Sequence, residues 1–306
     1  MDMGLLGNIL YDTVFHSTPI LLCVLGGTFA YKANVLNIAL EGMMLNAAFM
    51  AVLVEFLTHN FWLSVAISII TTLAWGLIFS WFGVTKKGNV IVVGLGINMI
   101  VPAIAQFVLA RMNLANISLQ NVCIQDFKIY IPFIDSIPVV GSILSGHPAI
   151  TYLAFIFIFF FNYLMFDTKF GTYVRVVGEN EDSAISLGLA TNKYKYLAVL
   201  IGAFCCALAG INLSLERMCM FTNNMTAGRG FIAIAAIYCG QGRPGKSALY
   251  AILFGVARSL AINLSIYAGA AAGLFDVLPY VIMVGVLAVV SWANFKKSRE
   301  RLYQWD

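Results

Sequence analysis

The feature that most constrains this chain is its succession of apolar runs, several of them near the length of a membrane-crossing helix. A span needs roughly 20 predominantly apolar residues, whereas a barrel strand needs about ten with alternating character. The runs here do not alternate. They fall at Ser17–Tyr31, Val35–Leu57, Phe61–Phe82, Val90–Ala110, Ile150–Phe166, Leu197–Leu215, Gly228–Cys239, Ala248–Leu264 and Phe275–Trp292, and the seventh is short. Composition agrees: 61% of residues are hydrophobic, 10% are charged and the mean hydropathy is +0.88. Soluble domains sit near 25% charged. The expected fold is all-α, a polytopic transmembrane helical bundle of about nine spans forming one domain over residues 1–306. Residues 1–16, apolar but broken by Asn8 and Asp12, read as an interfacial helix. No removable signal is expected, because the N-terminus lacks a basic stretch and a small-residue cleavage motif.

Lysine and arginine set the expected orientation. With nine alternating spans, one side receives thirteen of the eighteen basic residues, including Lys86, Lys87, Arg175, Lys193, Arg243 and the run Lys296–Arg301. The other side receives Arg111, Lys128, Arg217 and Arg229, and Arg258 falls inside a span. The N-terminus is therefore expected outside and the C-terminus in the cytoplasm. The net charge of +4 belongs to this sidedness and not to nucleic-acid binding. Residues 111–149 form the long extracytoplasmic segment, with Pro132, Pro138, Pro148 and an apolar patch over 129–140. It reads equally as an ordered lid or as a landing surface for an outside partner.

Residues 167–196 form the main cytoplasmic loop. In it, Glu179–Leu189 reads as a short helix, capped by Asn180 or Asp182, with acids in the first turn and Gly188 at its end. Ala184, Ile185 and Leu187 give it a small apolar face suited to a groove on another protein.

Polar groups inside spans are costly and tend to be functional. Asn37 and Glu41 share a helix face at the start of span two, as a hydrogen-bonded clamp on a bent helix start or as part of a path. Asn98, after Gly94 and Gly96, is either part of a packing seam or a pore-lining amide. Arg229 and Phe231 open the short, glycine-bounded seventh span; such helices often mark a transport path, and a snorkelling arginine is the plainer reading. Six cysteines lack CxxC spacing and read as free thiols. No catalytic constellation, metal spacing or cofactor motif is found, so the chain is not expected to be an enzyme.

Gly240-Gln-Gly-Arg-Pro-Gly-Lys-Ser247 matches the phosphate-cradling pattern GxxxxGKS. That pattern works at the end of a strand in a water-exposed parallel sheet. This chain has no room for such a sheet, so the octapeptide is read as a positively charged turn.

Four segments then carry a resemblance: NVLNIALEGMMLNAAF (Asn34–Phe49), GLGINMI (Gly94–Ile100), RVVGENEDSAISLGL (Arg175–Leu189) and GRGFIAIAAIYCGQGRPG (Gly228–Gly245). In this order they resemble the permease subunits of bacterial ABC importers for nucleosides and simple sugars, related to the ribose permease and more distantly to branched-chain amino acid permeases. The NxxLEG and GRGF forms are closer to the nucleoside-type branch. The resemblance implies the ABC importer permease fold in the bacterial inner membrane, a cytoplasmic ATPase subunit that hydrolyses ATP, a second permease subunit, expected as a heterodimer, and an extracytoplasmic substrate-binding lipoprotein. It assigns Gly178, Glu179, Asn180, Ala184, Leu187 and Gly188 to ATPase coupling, and it leaves Asn37, Glu41, Asn98, Arg229 and Phe231 as path candidates. Substrate is expected to be a nucleoside or related polar ring compound; a simple sugar, a flavin or a branched-chain amino acid is the alternative. A self-contained secondary transporter, coupled to ions through Glu41 or Arg258, is the competing class.

Overall fold

The computed structural model describes residues 3–119, 127–129, 145–265, 275 and 277–302. Eleven helices are described: α1 (Met3–Lys32), α2 (Leu40–Thr58), α3 (Phe61–Ser80), α4 (Val90–Arg111), α5 (Ala149–Phe166), α6 (Lys169–Glu179), α7 (Glu181–Ser186), α8 (Thr191–Ile211), α9 (Arg229–Cys239), α10 (Pro244–Ser265) and α11 (Leu278–Leu302). π-Helical turns extend α3 over Trp81–Thr85 and α8 over Asn212–Met218. Two short antiparallel strands, β1 (Ile117–Ser118) and β2 (Met220–Phe221), place Ile117 opposite Phe221.

Among the described residues, seven helical stretches are long and apolar enough to cross a membrane: Ile9–Lys32, Leu40–Thr58, Phe61–Thr85, Val90–Arg111, Ala149–Phe166, Thr191–Met218 and Pro244–Ser265. The two remaining apolar runs form the shorter helices Arg229–Cys239 and Leu278–Trp292. The expected nine thus divide into seven of spanning length and two shorter. For α9 the reason is local. Gly228 precedes it at φ +73° and Gly240 closes it, so 11 residues remain. At 1.5 Å per residue these reach about 16 Å, roughly half the hydrocarbon thickness.

α1 is continuous from Met3 to Lys32 with Pro19 inside it. The stretch read as a separate interfacial helix is therefore the opening of the first long helix. α1, α2 and α8 form the buried centre; α1 packs on α8 and α10, and α2 packs on α3 and α8. α3, α4 and α5 lie outside them and leave large side chains such as Trp62, Met99, Phe107 and Phe159 exposed. In a bilayer that apolar surface meets lipid or another subunit without cost.

Of the segment 111–149, Ile129 bridges to His147, and Tyr11 donates to the Gly146 carbonyl at 2.9 Å while its ring stacks on His147. Its end is thus folded onto α1. Cys123, Pro132, Pro138 and most of the apolar patch lie outside the described residues. The other five cysteines are buried free thiols.

Candidate translocation path and coupling segment

α9 begins at the buried residues Arg229 and Gly230 and lacks a side-chain cap of its own. Its first amides would be unsatisfied there. Glu41, in the first turn of α2, supplies the missing acceptors. Its Oε1 accepts from Gly228 N at 2.9 Å and its Oε2 from Gly230 N at 2.5 Å. Only a glycine allows this approach: a Cβ at Gly230 would lie 2.5 Å from Glu41 N and 2.6 Å from Glu41 Cα. The clamp expected of Glu41 is present, but it grips the start of α9 across the bundle.

Asn98 secures the other flank of α2. Its Oδ1 accepts from Gly42 N at 2.7 Å, and its Nδ2 donates to the Ile38 carbonyl at 2.9 Å. Its amide thus ties α4 to the start of α2, in the manner of a packing seam. It also borders a cavity of about 470 Å³ between α2, α4 and the α9 start, as do Glu41 and Phe231.

Asn37 and Arg229 do not border that cavity. Asn37 is buried, its Oδ1 accepting from Ala39 N at 3.0 Å and so shaping the turn before α2. Arg229 does not snorkel. It is buried, and its Nη1 donates to the carbonyls of Met225 and Thr226 at 2.8 and 3.1 Å, folding the preceding loop onto α9. Gln106, Asn223 and Asn224 are cavity residues that sequence reasoning passed over. Asn98, Pro102 and Gln106 stand at i, i+4 and i+8 on α4, a stripe of one helix face that was legible. The Asn223-Asn224 pair interrupts two apolar runs, which was a second signal.

A buried polar group that was also missed sits in the π-helical end of α8. Asn212 Nδ2 donates to Glu216 Oε2 at 2.6 Å. The Arg217 guanidinium lies 3.9 Å from the Phe15 ring centroid and donates to Thr151 Oγ1 at 3.2 Å. The wide turn points residues inward that a regular helix would space apart, joining α8 to α1 and α5.

At the opposite end of α1 lies the segment assigned to coupling. Its helix is shorter than expected, Glu181–Ser186 in place of Glu179–Leu189. Asn180 is extended and its side chain accepts from Ser183 N at 2.9 Å, so α6 ends and α7 begins there. Gly188 at φ +77° ends α7, with Leu189 N bonded to the Ala184 carbonyl at 3.0 Å and Gly188 N to the Ile185 carbonyl at 2.8 Å. This pair of bonds is the Schellman arrangement, which needs a left-handed residue. One assignment changes. Ala184 is fully buried and faces its own protein, while Ile185 and Leu187 are 55% and 74% exposed. Glu179 is exposed beside them. A Cβ at Gly178 would run into the Lys32 carbonyl, so α6 rests directly on the end of α1.

α7 is anchored to α8 by Lys195 Nζ and Glu181 Oε2 at 2.6 Å. The hydrogen bond from this ammonium holds the Glu181 carboxyl below its ordinary pKa of 4.5. A depressed carboxyl stabilises the fold above its unfolded pKa and loses that contribution as pH falls through the folded value. Thermal stability is therefore expected to show no Glu181-linked change between pH 6.5 and pH 8, both well above 4.5, and to lose that contribution as pH falls below about 5. Lys195→Met should cost no more than about 1 kcal/mol, as for other partly exposed pairs; melting curves of the two proteins across pH check both.

The octapeptide 240–247 connects α9 to α10, two helices, with Pro244 in the first turn of α10. The amides of Gly240, Gln241, Gly242, Arg243 and Ser247 are bonded to Ala236, Tyr238, Ile237, Gly240 and Arg243 carbonyls. A phosphate cradle needs such amides free.

Residues 9–287 match the family described as branched-chain amino acid transport system, permease component. The chain belongs to that family. The permease is 29% identical over 289 residues to the guanosine ABC transporter permease protein NupQ of Bacillus subtilis, spanning 92% of this chain and 88% of that one. It is 28% identical to the nucleoside ABC transporter permease protein NupC of Lactococcus lactis subsp. cremoris, over 92% and 91% of the two chains. It is likewise 28% identical to a protein provisionally named glucose ABC transporter permease TsgC13 in Haloferax volcanii, over 85% and 79%. In fold the permease resembles a chain of an inward-facing ABC transporter provisionally assigned to the metal-chelate type, with a TM-score of 0.50 at 15% identity, over 94% of this chain and 85% of that one. It is a multi-pass membrane transport subunit of the ABC class.

Proposed function

We propose that this permease forms half of an ABC importer's translocation path and carries an uncharged polar ring compound, a nucleoside in the first instance. The observation that carries the substrate reading is the lining of the 470 Å³ cavity: Asn98, Gln106, Asn223 and Asn224 offer amides, Phe231 and Met99 offer apolar surface, and among the described residues no lysine or arginine borders it. Amides donate and accept equally, which suits bases and sugars with both kinds of group. An aromatic ring adds a stacking face for a planar base. The two nucleoside permease relatives support the same reading.

The basic bias of the α6–α7 end supports placing it in the cytoplasm of a bacterial inner-membrane system, with the N-terminus outside. The short α9 and the apolar first part of α11, Leu278–Trp292, then complete nine passages. A cytoplasmic ATPase engages Ile185 and Leu187. α7 transmits its movement to α8 through Glu181–Lys195 and to α1 through Gly178, so the buried centre of the bundle rocks as a body. A second permease closes the path, and an extracytoplasmic binding protein delivers substrate. The competing reading, a self-contained transporter coupled through Glu41, loses ground because both Glu41 oxygens are engaged by backbone amides.

Uptake by the complete system tests the substrate assignment. Phe231→Ala is expected to raise KM for a nucleoside by about tenfold, in line with loss of one base–aromatic contact. Gln106→Ala should act in the same direction, and neither should change the melting temperature. Excess glucose or leucine, competing as well as unlabelled nucleoside, would overturn the reading.

A further inference from the structure

A second cavity of about 410 Å³ opens at the α6–α7 end, lined by Tyr31 and Lys32 of α1, Arg175 and Glu179 of α6, and Tyr238 of α9. Lys32 makes no hydrogen bond or ion pair among the described residues, and the ion pair found there, Lys195–Glu181, lies elsewhere. Arg175 is held only loosely, by two long contacts of 3.4 Å to Gly171 and Thr172 and by the Phe166 ring. Its guanidinium keeps donors to spare. Arg243, on the α9–α10 turn, adds a third cation within electrostatic reach of Lys32. That turn lies on the lysine stem: a Cβ at Gly242 would come within 3.2 Å of Lys32 Cε. Glu179 is the one carboxylate on the wall. Two cations from separate elements, Lys32 and Arg175, thus face a single acid around the cavity, with Arg243 near enough to act on Lys32.

We infer that this cavity is a site for a phosphate-bearing anion, bound by Lys32 and Arg175 and bridging α1 to α6. Convergent basic side chains between membrane helices at one end of a bundle match the headgroup of an anionic lipid, and free phosphate carries the same chemistry. Tyr31 and Tyr238 pack edge to face at 5.2 Å and supply a wall with hydroxyl tips, suited to the boundary between headgroup and acyl chain. The consequence is mechanical. An anion there neutralises the repulsion between α1 and α6 next to the Gly178–Lys32 contact, and so stiffens the route from α7 to the bundle.

Native mass spectrometry of the full chain, delipidated in detergent and titrated with phosphatidylglycerol, phosphatidylcholine or inorganic phosphate, tests the site. Wild type is expected to retain one phosphatidylglycerol in preference to phosphatidylcholine. Lys32→Gln and Arg175→Gln should each weaken retention by about fivefold, and together by about thirtyfold, if each cation contributes about 1 kcal/mol. The conservative pair Lys32→Arg with Arg175→Lys should restore it, which separates charge from folding. Lys193→Gln, an exposed cation on α8 outside the cavity, should leave it unchanged. Displacement of the lipid by millimolar phosphate, or retention of phosphate with no lipid preference, supports the site and identifies which source it takes. Equal retention in the double glutamine variant, or no retention of either anion by wild type, would overturn it. In the last case an acidic side chain of the ATPase would be the natural occupant.

Discussion

Glu41→Ala is expected to lower the unfolding free energy by about 3 kcal/mol, from two charge-assisted hydrogen bonds at about 1.5 kcal/mol each. The size follows from position. The carboxylate meets the first amides of a half-length helix whose dipole is positive at that end. Its loss strands Gly228 N and Gly230 N together. Glu41→Gln should fall between: the amide oxygen still accepts one bond, but the charge and the second acceptor are gone. Gly230→Ala should imitate Glu41→Ala although the carboxylate remains, because the added methyl collides with the Glu41 backbone. Melting curves in detergent order the three variants. The path should fail along with stability, since α9 and α2 both border the cavity. A Glu41→Ala protein that melts like wild type and transports normally would show that α9 is held by other means.

The bundle was legible because a bilayer permits few alternatives. Long apolar runs must be helices, so spans two to six and eight were visible as runs alone. α9 was visible as a glycine-bounded fragment, but its cap was not, since Glu41 is 187 residues from Gly228 in sequence. Asn37 carried two readings in sequence, a clamp on a bent helix start or a path residue, and its bond to Ala39 N fits the first. A local side chain-to-backbone bond of this kind looks, in sequence, the same as a free amide. Snorkelling is the plainer expectation for an arginine at a span end, but Arg229 is buried with its Nη1 bonded to two carbonyls of its own preceding turn. The π-helical turn of α8 left no sequence mark, so the inward placement of Glu216 and Arg217 was out of reach.

Leu187→Asp is expected to abolish ATP-driven uptake, by more than about tenfold, while leaving folding and membrane insertion intact. Leu187 is 74% exposed, and a surface change away from caps and cores costs within about 0.5 kcal/mol. Its value to the protein is therefore not packing within this chain. If it fills an apolar groove on the ATPase, an aspartate there leaves an unpaired charge in the interface, worth several kcal/mol against docking. Ala184→Asp provides the contrast. Ala184 is fully buried and its carbonyl closes the Schellman turn, so a carboxylate there should lower the melting temperature before any question of docking arises. Gly188→Pro should act like Ala184→Asp, because proline cannot reach φ +77°. The two classes separate in one experiment: melting temperature, ATP hydrolysis and uptake measured on the same assembled complex. Loss of uptake with a normal melting temperature in Leu187→Asp assigns the exposed face to a partner. Normal uptake in that variant would mean that force enters the bundle elsewhere, and the rigid route through Gly178 and Lys195 would have no load to carry.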